Sequence, residues 1–290
     1  MTSARHDGAV RLVVNADDLG LHPSIDAGIL RAHREGIVTS TSVLVTGRSA
    51  AAAITRANAQ GLPVGIHLSL TTNLPPAADP SQVPSVAPGG TFRPRWPQVL
   101  AAWCAGRLRQ GEVEAEFRAQ IALARRLGVQ PDHLDGHQHL HVLPGLAQIV
   151  RAIAAEEKLP VRWPIARPSL EWLRQPAAAL KTAAIALCTR LARRGAEGLP
   201  GLGTFEAGAL SEERLLSLLF KLRPGDCELG CHPGQTADDV PEQPGWSYGW
   251  EEELAALCSR RVREAIAQRG IRLASYRELA RRGAISARAT

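Results

Sequence analysis

Apolar positions along this 290-residue chain follow two alternating rhythms. Short β-rich runs at Arg11–Asn15, Ser42–Val45, Val64–Leu68, His133–Asp135, Val161–Trp163, Glu228–Cys231 and Arg272–Ala274, with a weaker one near Thr204, read as strands. Between them a period near 3.6 residues predicts helices over Ser24–Glu35, Ala50–Ala59, Glu112–Leu127, Gly145–Glu157, Ala177–Arg193, Glu212–Leu222 and Glu251–Gln268. Sustained strand–helix alternation fits a parallel sheet better than an antiparallel one. The expected architecture is α/β: a distorted, TIM-barrel-like (β/α) barrel of seven or eight mostly parallel strands. No Gly/Ser linker or low-complexity tract divides the chain, so residues 1–290 are expected to form a single domain.

Local chemistry sharpens some boundaries. Ser24 follows Pro23 and precedes Ile25, Ile29 and Ala32, which predicts an N-cap, with Gly36 as the stop. Ser211 before Glu212 and Glu213 marks another helix start. The Pro/Gly-rich stretches Leu74–Pro97 and Pro233–Gly249 are too long for ordinary connections and are expected to be lids or substrate-facing loops. In the 177–193 helix, Leu180, Ala184, Leu187, Cys188 and Leu191 share a face, with Lys181 and Arg190 off it. That face suits packing on the barrel, a subunit partner in a homodimer, or an apolar cap over a lipid-linked substrate.

Composition narrows the class. The net charge of +6 comes mostly from arginine, and pairs such as Arg125–Arg126, Arg193–Arg194 and Arg260–Arg261 fall on polar helix faces rather than in a nucleic-acid stripe. With no zinc-finger or RNP-type motif either, no nucleic-acid partner is expected. The five cysteines, Cys104, Cys188, Cys227, Cys231 and Cys258, form no CxxC pair and read as buried thiols in a reducing compartment. No stretch approaches the roughly 18 uncharged apolar residues of a membrane span. The expectation is a cytoplasmic protein.

Chemistry concentrates at strand ends. Asp132 to His141 holds four histidines and two aspartates in ten residues. Asn15-Ala16-Asp17-Asp18 follows the first strand, His67 lies in the third, and His232 follows the Glu228–Cys231 strand. In a parallel barrel these carboxyl-terminal ends converge on one face. Singly, each cluster has a plainer reading: a turn or helix cap for the aspartates, a core histidine for His67, a turn residue for His232. Together they suit metal-assisted hydrolysis, in which one carboxylate of an adjacent pair ligates and the other accepts a proton. One Asp and two His leave positions open for water and substrate. Gly136 is expected to supply the bend that aims His137 into the barrel mouth, with His139 and His141 supporting the site or touching substrate, and His133 and Asp135 orienting a ligating imidazole.

These motifs, in this order, resemble the YdjC family of carbohydrate deacetylases, which includes chitooligosaccharide and hopanoid-biosynthesis deacetylases. The matching pieces are Asn15-Ala16-Asp17-Asp18-Leu19-Gly20, the run Gly36 to Ser42, Gly65-Ile66-His67-Leu68, the run His133 to His141, Cys231-His232-Pro233 and Ser275-Tyr276-Arg277. Leu19 stands where the family commonly has Phe. The resemblance implies hydrolysis of the N-acetyl group of an N-acetylglucosamine-type sugar, oligosaccharide or lipid-linked, with one divalent metal ion, Mg or Zn. It implies Asp18, His67 and His137 as ligands, Asp17 as general base and His232 as general acid or oxyanion-stabilising group. Asn15, Asp135, His139, His141 and Arg162 are the expected supporting or substrate-binding residues, and Trp246, Tyr248 and Trp250 are candidates to stack on a sugar ring. The rival readings are a metal-dependent amidase or phosphoesterase on a non-sugar substrate, and a non-catalytic sugar- or metal-binding relative. No phosphate-cradling glycine loop with lysine favours the phosphoester version.

Overall fold

The computed structural model describes residues 9–165, 175–193, 199–235 and 248–282. Among the described residues seven strands form one parallel sheet: β1 (Val10–Leu19), β2 (Ser40–Val43), β3 (Val64–Leu68), β4 (Leu134–Gly136), β5 (Gly201–Leu202), β6 (Gly225–Cys231) and β7 (Arg272–Ala274). Their order is β4-β3-β2-β1-β6-β5, with β7 also on β1. The sheet is curled, a half-barrel with helices packed around it. β6 runs along one edge of β1 from Val10 to Ala16, while β2 pairs Asn15 to Leu19 and β7 pairs Arg11 to Val13. A strand has two edges, so β2 and β7 share the second.

The curl is not closed by regular ladders among the described residues. The Val161–Trp163 run, expected to be a strand, makes only an isolated bridge from Val161 to Leu134, and Ile165 bridges Pro200 beside β5. Pro160 and Pro164 flank this segment and offer no N–H to a ladder. Residues 161–165 thus span the gap between β4 and β5 by single contacts, Arg162 N–H donating to Leu134 O at 2.8 Å and Gly201 N–H to Ile165 O at 3.0 Å.

The helices are α1 (Pro23–Glu35), α2 (Ala50–Ala59), α3 (Trp96–Cys104), α4 (Gln110–Arg126), α5 (Leu146–Glu157), α6 (Pro176–Arg193), α7 (Glu212–Phe220), α8 (Trp250–Leu257), α9 (Arg260–Gln268) and α10 (Tyr276–Arg281). Three departures from expectation have local causes. The N-cap of α1 is His22, not Ser24: its Nδ1 accepts the Ser24 N–H at 3.2 Å, and Pro23 fills the first turn, where its missing N–H is harmless. The single helix expected over Glu251–Gln268 is two, because the Ser259 side chain caps α9 by accepting from Arg261 N and Val262 N. Much of the Leu74–Pro97 stretch is packed rather than free. Val83, Val86 and Phe92 are buried, Glu116 accepts the N–H groups of Ala77 and Ala78 at 2.9 Å each, and α3 begins at its end. Most of the Pro233–Gly249 stretch lies outside the described residues.

The main core fills the space between sheet and helices, with Leu12, Val14, Ile29, Ile54, Ile66, Leu134 and Leu229 fully or almost fully buried. β1, β2, β3, β4 and β6 are covered on both faces along nearly their whole length, whereas β5 is half-buried and β7 leaves Arg272 and Leu273 exposed. No helix among the described residues is long and apolar enough to cross a membrane.

Candidate metal centre

β1 carries the adjacent aspartates inside the strand rather than after it, because the strand bulges. Its register with β2 shifts between Ala16 and Leu19, and Asp18 takes a positive φ of 72°. In a regular strand neighbouring side chains oppose each other; the bulge brings both carboxylates into one cleft. Aspartate tolerates that conformation better than most residues, and strained backbone of this kind is typical of functional positions.

The bend expected at Gly136 lies further on. Gly136 is extended, with φ −153° and ψ 134°, while Gln138 and His139 adopt positive φ of 54° and 56° in a 3₁₀ turn over His137–Val142. Glycine is needed at 136 for another reason: a Cβ there would stand 2.6 Å from His141 Nδ1. His137 is thereby delivered to the cleft at the end of β4.

Asp18, His67 and His137, all buried, place one ligating atom each within 4.8 Å of the others. Asp18 Oδ1 lies 2.9 Å from His137 Nδ1 and 3.4 Å from His67 Nε2, and it accepts no hydrogen bond despite complete burial. An orphaned carboxylate oxygen facing two imidazole nitrogens is a donor set that fits a divalent ion. His67 Nδ1 bonds Asp135 Oδ1 at 2.7 Å, the carboxylate–imidazole arrangement that directs the other ring nitrogen at a metal. A second set, Asp17, His67 and Asp135, is also close-spaced. It does not fit an ion, because Arg162 Nη1 already stands between its carboxylates, 2.6 and 2.8 Å from the Asp17 oxygens and 2.9 Å from Asp135 Oδ2.

Charges interlock around this pair of sets. Burial works against ionising Asp18, but His137 and His67 outweigh it and hold its carboxyl well below the usual range. Burial likewise opposes the charge on His67, yet Asp135 and Asp18 push it well above the usual histidine value. Asp135 is held low against its burial by His67 and Arg162. Burial, reinforced by Arg162, pushes His139 well below the ordinary range, so it is neutral at pH 7.

Arg162 is buried on the bridging segment and does not line the cleft, so of its two expected roles, supporting or substrate-binding, its position suits the first. Besides Asp17 and Asp135 it pairs through Nε with Glu228, which in turn accepts the Tyr276 hydroxyl. Asn15 donates to Asp17 Oδ1 at 2.8 Å and to Ser42 Oγ at 2.9 Å, and Ser42 donates to Asp135 Oδ2 at 2.9 Å. Asp17 is therefore held by Arg162 and Asn15, while Ser42, whose one hydroxyl proton goes to Asp135, supports Asn15. His133, bonded to Asp132 at 2.7 Å, stacks on Tyr276 rather than orienting a ligand. His141 bonds Arg162 O at 2.9 Å and braces the bridging segment; it does not line the cleft, whereas His139 does.

His232, just past β6, stands 3.8 Å from Asp17 Oδ2 through Nε2. Its backbone N–H donates to Glu253 at 2.6 Å and its ring stacks on Tyr248, with centroids 4.7 Å apart. Asp17, Asp18, His67, His137, His139, His232 and Tyr248 line a narrow cleft of about 40 Å³, with Trp96 and Lys181 at its wall. Beside it runs an apolar groove of about 440 Å³ that shares Trp96, Gln138, His139, Lys181 and Ile185. Trp250 packs on the core instead of lining the cleft, and Trp246 lies outside the described residues.

Sequence reading missed Glu228, Glu253, Ser42, Trp96 and Lys181. For Glu228 a signal existed: an acidic residue in the otherwise small and apolar run Cys227-Glu228-Leu229-Gly230-Cys231 needs a buried partner.

Relatives carry the same pattern of length. A carbohydrate deacetylase of Mus musculus is 34% identical, covering 93% of this chain and 95% of the relative. One from Geobacillus stearothermophilus is 32% identical, covering 92% and 96%. A crystal structure from Enterococcus faecalis V583, whose description names cellobiose-phosphate cleavage, superposes with a TM-score of 0.76 at 30% identity, covering 93% of this chain and 99% of that one. With the family model for YdjC-like protein matching residues 11–268, and Asp18, His67 and His137 gathered where they could hold a metal ion, the chain belongs to the YdjC-like family.

Proposed function

We propose that the protein removes the N-acetyl group from an N-acetylglucosamine-type amino sugar, releasing acetate and the free amine. The observation that carries this reading is the single cleft in which the Asp18–His67–His137 set lies beside Asp17 and His232. The description of full-length relatives as carbohydrate deacetylases supports it.

In this reading Asp18, His67 and His137 hold one divalent ion, and the two nitrogen donors favour zinc over magnesium. When bound, the ion supplies Lewis acidity for the acyl oxygen and lowers the pKa of water toward neutrality. Asp17, fixed by Arg162 and Asn15, takes the proton from the attacking water. His232, held by its stack on Tyr248, delivers a proton to the departing nitrogen as the C–N bond breaks. The groove favours a lipid-linked sugar over an oligosaccharide: its walls at Leu100, Leu140, Val142 and Leu143 give a second sugar ring few hydrogen-bond partners.

Acetate release from a panel of N-acetylglucosaminyl compounds, soluble and lipid-linked, before and after chelation and metal re-addition, tests the reading. Metal-dependent release is expected, and Asp17→Asn should lower turnover by roughly 10²–10⁴-fold while keeping its metal. Full activity in that variant removes Asp17 from the proton-transfer role. Release of phosphate but no acetate from matched substrates would overturn the deacetylase assignment.

A further inference from the structure

α6 is inside out for a helix on a water-soluble surface. Thr182, Thr189 and Ala192 face inward with 2, 2 and 8% exposure, while Leu180, Leu187 and Leu191 stand 74, 60 and 58% exposed. At about 100° per residue the three leucines fall within roughly 40° of one another, with Ala184 beside them. Lys181 and Arg190 lie on opposite flanks of this stripe, each roughly a quarter-turn away. The helix, Pro176–Arg193, contains no aspartate or glutamate. Trp96, 39% exposed at the start of α3, lines the apolar groove together with Leu180, so the stripe runs up to the groove's rim.

We propose that this face, Leu180, Leu187 and Leu191 with Trp96 at its edge, seats the protein on an anionic lipid bilayer. An apolar stripe bordered by cations is the pattern of a helix lying in the membrane interface: leucine and tryptophan enter the acyl boundary, and lysine and arginine reach back to the headgroups. The charges choose between a bilayer and a second copy of the chain. A two-fold contact through this stripe sets cations against the same cations, with no acid on the helix to pair them. An anionic surface pairs them all. The groove leading to the cleft then opens at the membrane rather than into bulk water.

Co-sedimentation of the purified protein with vesicles of phosphatidylcholine plus phosphatidylglycerol, and of phosphatidylcholine alone, tests the proposal without requiring turnover. Failure of the deacetylase reading therefore leaves this measurement intact. Binding should favour the anionic vesicles and weaken in high salt. The double variant Leu187→Glu/Leu191→Glu, whose positions line neither cleft nor groove, should bind at least about tenfold more weakly, and Arg190→Gln about fivefold more weakly. Circular dichroism matching the parent excludes misfolding as the cause. No binding to anionic vesicles by the parent, equal binding by the double variant, or a vesicle-indifferent dimer that the double variant splits in light scattering would each overturn the proposal.

Discussion

Adding one methyl group at Gly230, the penultimate residue of β6, tests whether Arg162 positions Asp17 for reaction. A Cβ there would stand 2.1 Å from Arg162 Nη2. Ordinary contact begins near 3.4 Å, so the guanidinium must retreat by about 1.3 Å (3.4 − 2.1). Its Nη1 bonds span only 2.6 to 2.9 Å, so a retreat of that size breaks or badly stretches those to Asp17 and Asp135. Hydrogen bonds between charged groups contribute about 1.5–3 kcal/mol each, and relaxation of the flexible arginine recovers part of that, so an unfolding free energy about 2 kcal/mol below the parent is expected. The larger effect falls on the chemistry, where misplacing a reacting group by about 1 Å lowers the rate on the order of 100-fold. For Gly230→Ala, kcat/KM for acetate release should fall about that far, with bound metal unchanged by elemental analysis. Gly111→Ala on α4 is the control, since a Cβ there meets nothing within 4 Å. Parental kcat/KM in Gly230→Ala would refute the claim that the Arg162–Asp17 contact matters to the reaction.

Other expectations follow from the same geometry. Asp18→Ala should lose the bound divalent ion; an unchanged metal content would take Asp18 out of the ligand set. Tyr276→Phe keeps the stack on His133 but withdraws a hydroxyl from buried Glu228, and should lower stability by about 1–3 kcal/mol in urea denaturation, with an unchanged midpoint counting against the pairing. Burial depresses His141 from 6.5 to about 4, so between those values the unfolded chain binds the extra proton and acid removes stability. That contribution is complete above pH 6.5 and falls by about 3 kcal/mol as pH drops toward 4; His141→Gln should flatten the decline, and an unaltered slope would contradict it.

How much of this was legible in the sequence depended on range. Asp17, Asp18, His67, His137 and His232 could be named because parallel strands end on one face, and the structure gathers those side chains in one cleft. The Arg162–Asp17 bond spans 145 residues, and nothing near Arg162 in sequence announces it. Periodicity found the leucine face of α6 but carries no information on which way a face turns; buried Thr182 and Thr189 turn it outward, against the reading in which it packs on the barrel. α3 was hidden because Trp96-Pro97 reads as loop, although proline in a first turn is compatible with helix. β5, only two residues long, exists through its pairing with β6 rather than through any pattern of its own.

The segment that spans the gap between β4 and β5 also orders events in time. Asp17, Asp18 and Asp135 leave the ribosome before Arg162, and Glu228 follows. A nascent chain ending short of residue 162 holds three acidic groups destined for one dry interior and lacks the guanidinium that joins two of them. Asp18 and Asp135 already have His67 and His137 in such a chain, but Asp17 has only the neutral Asn15, and burying its charge without the guanidinium costs several kcal/mol. The residue that ties the bridging segment to β4 and the clamp on the proposed base are one, so in a chain made from its N-terminus the pairing of Asp17 is completed only after that segment has been synthesised.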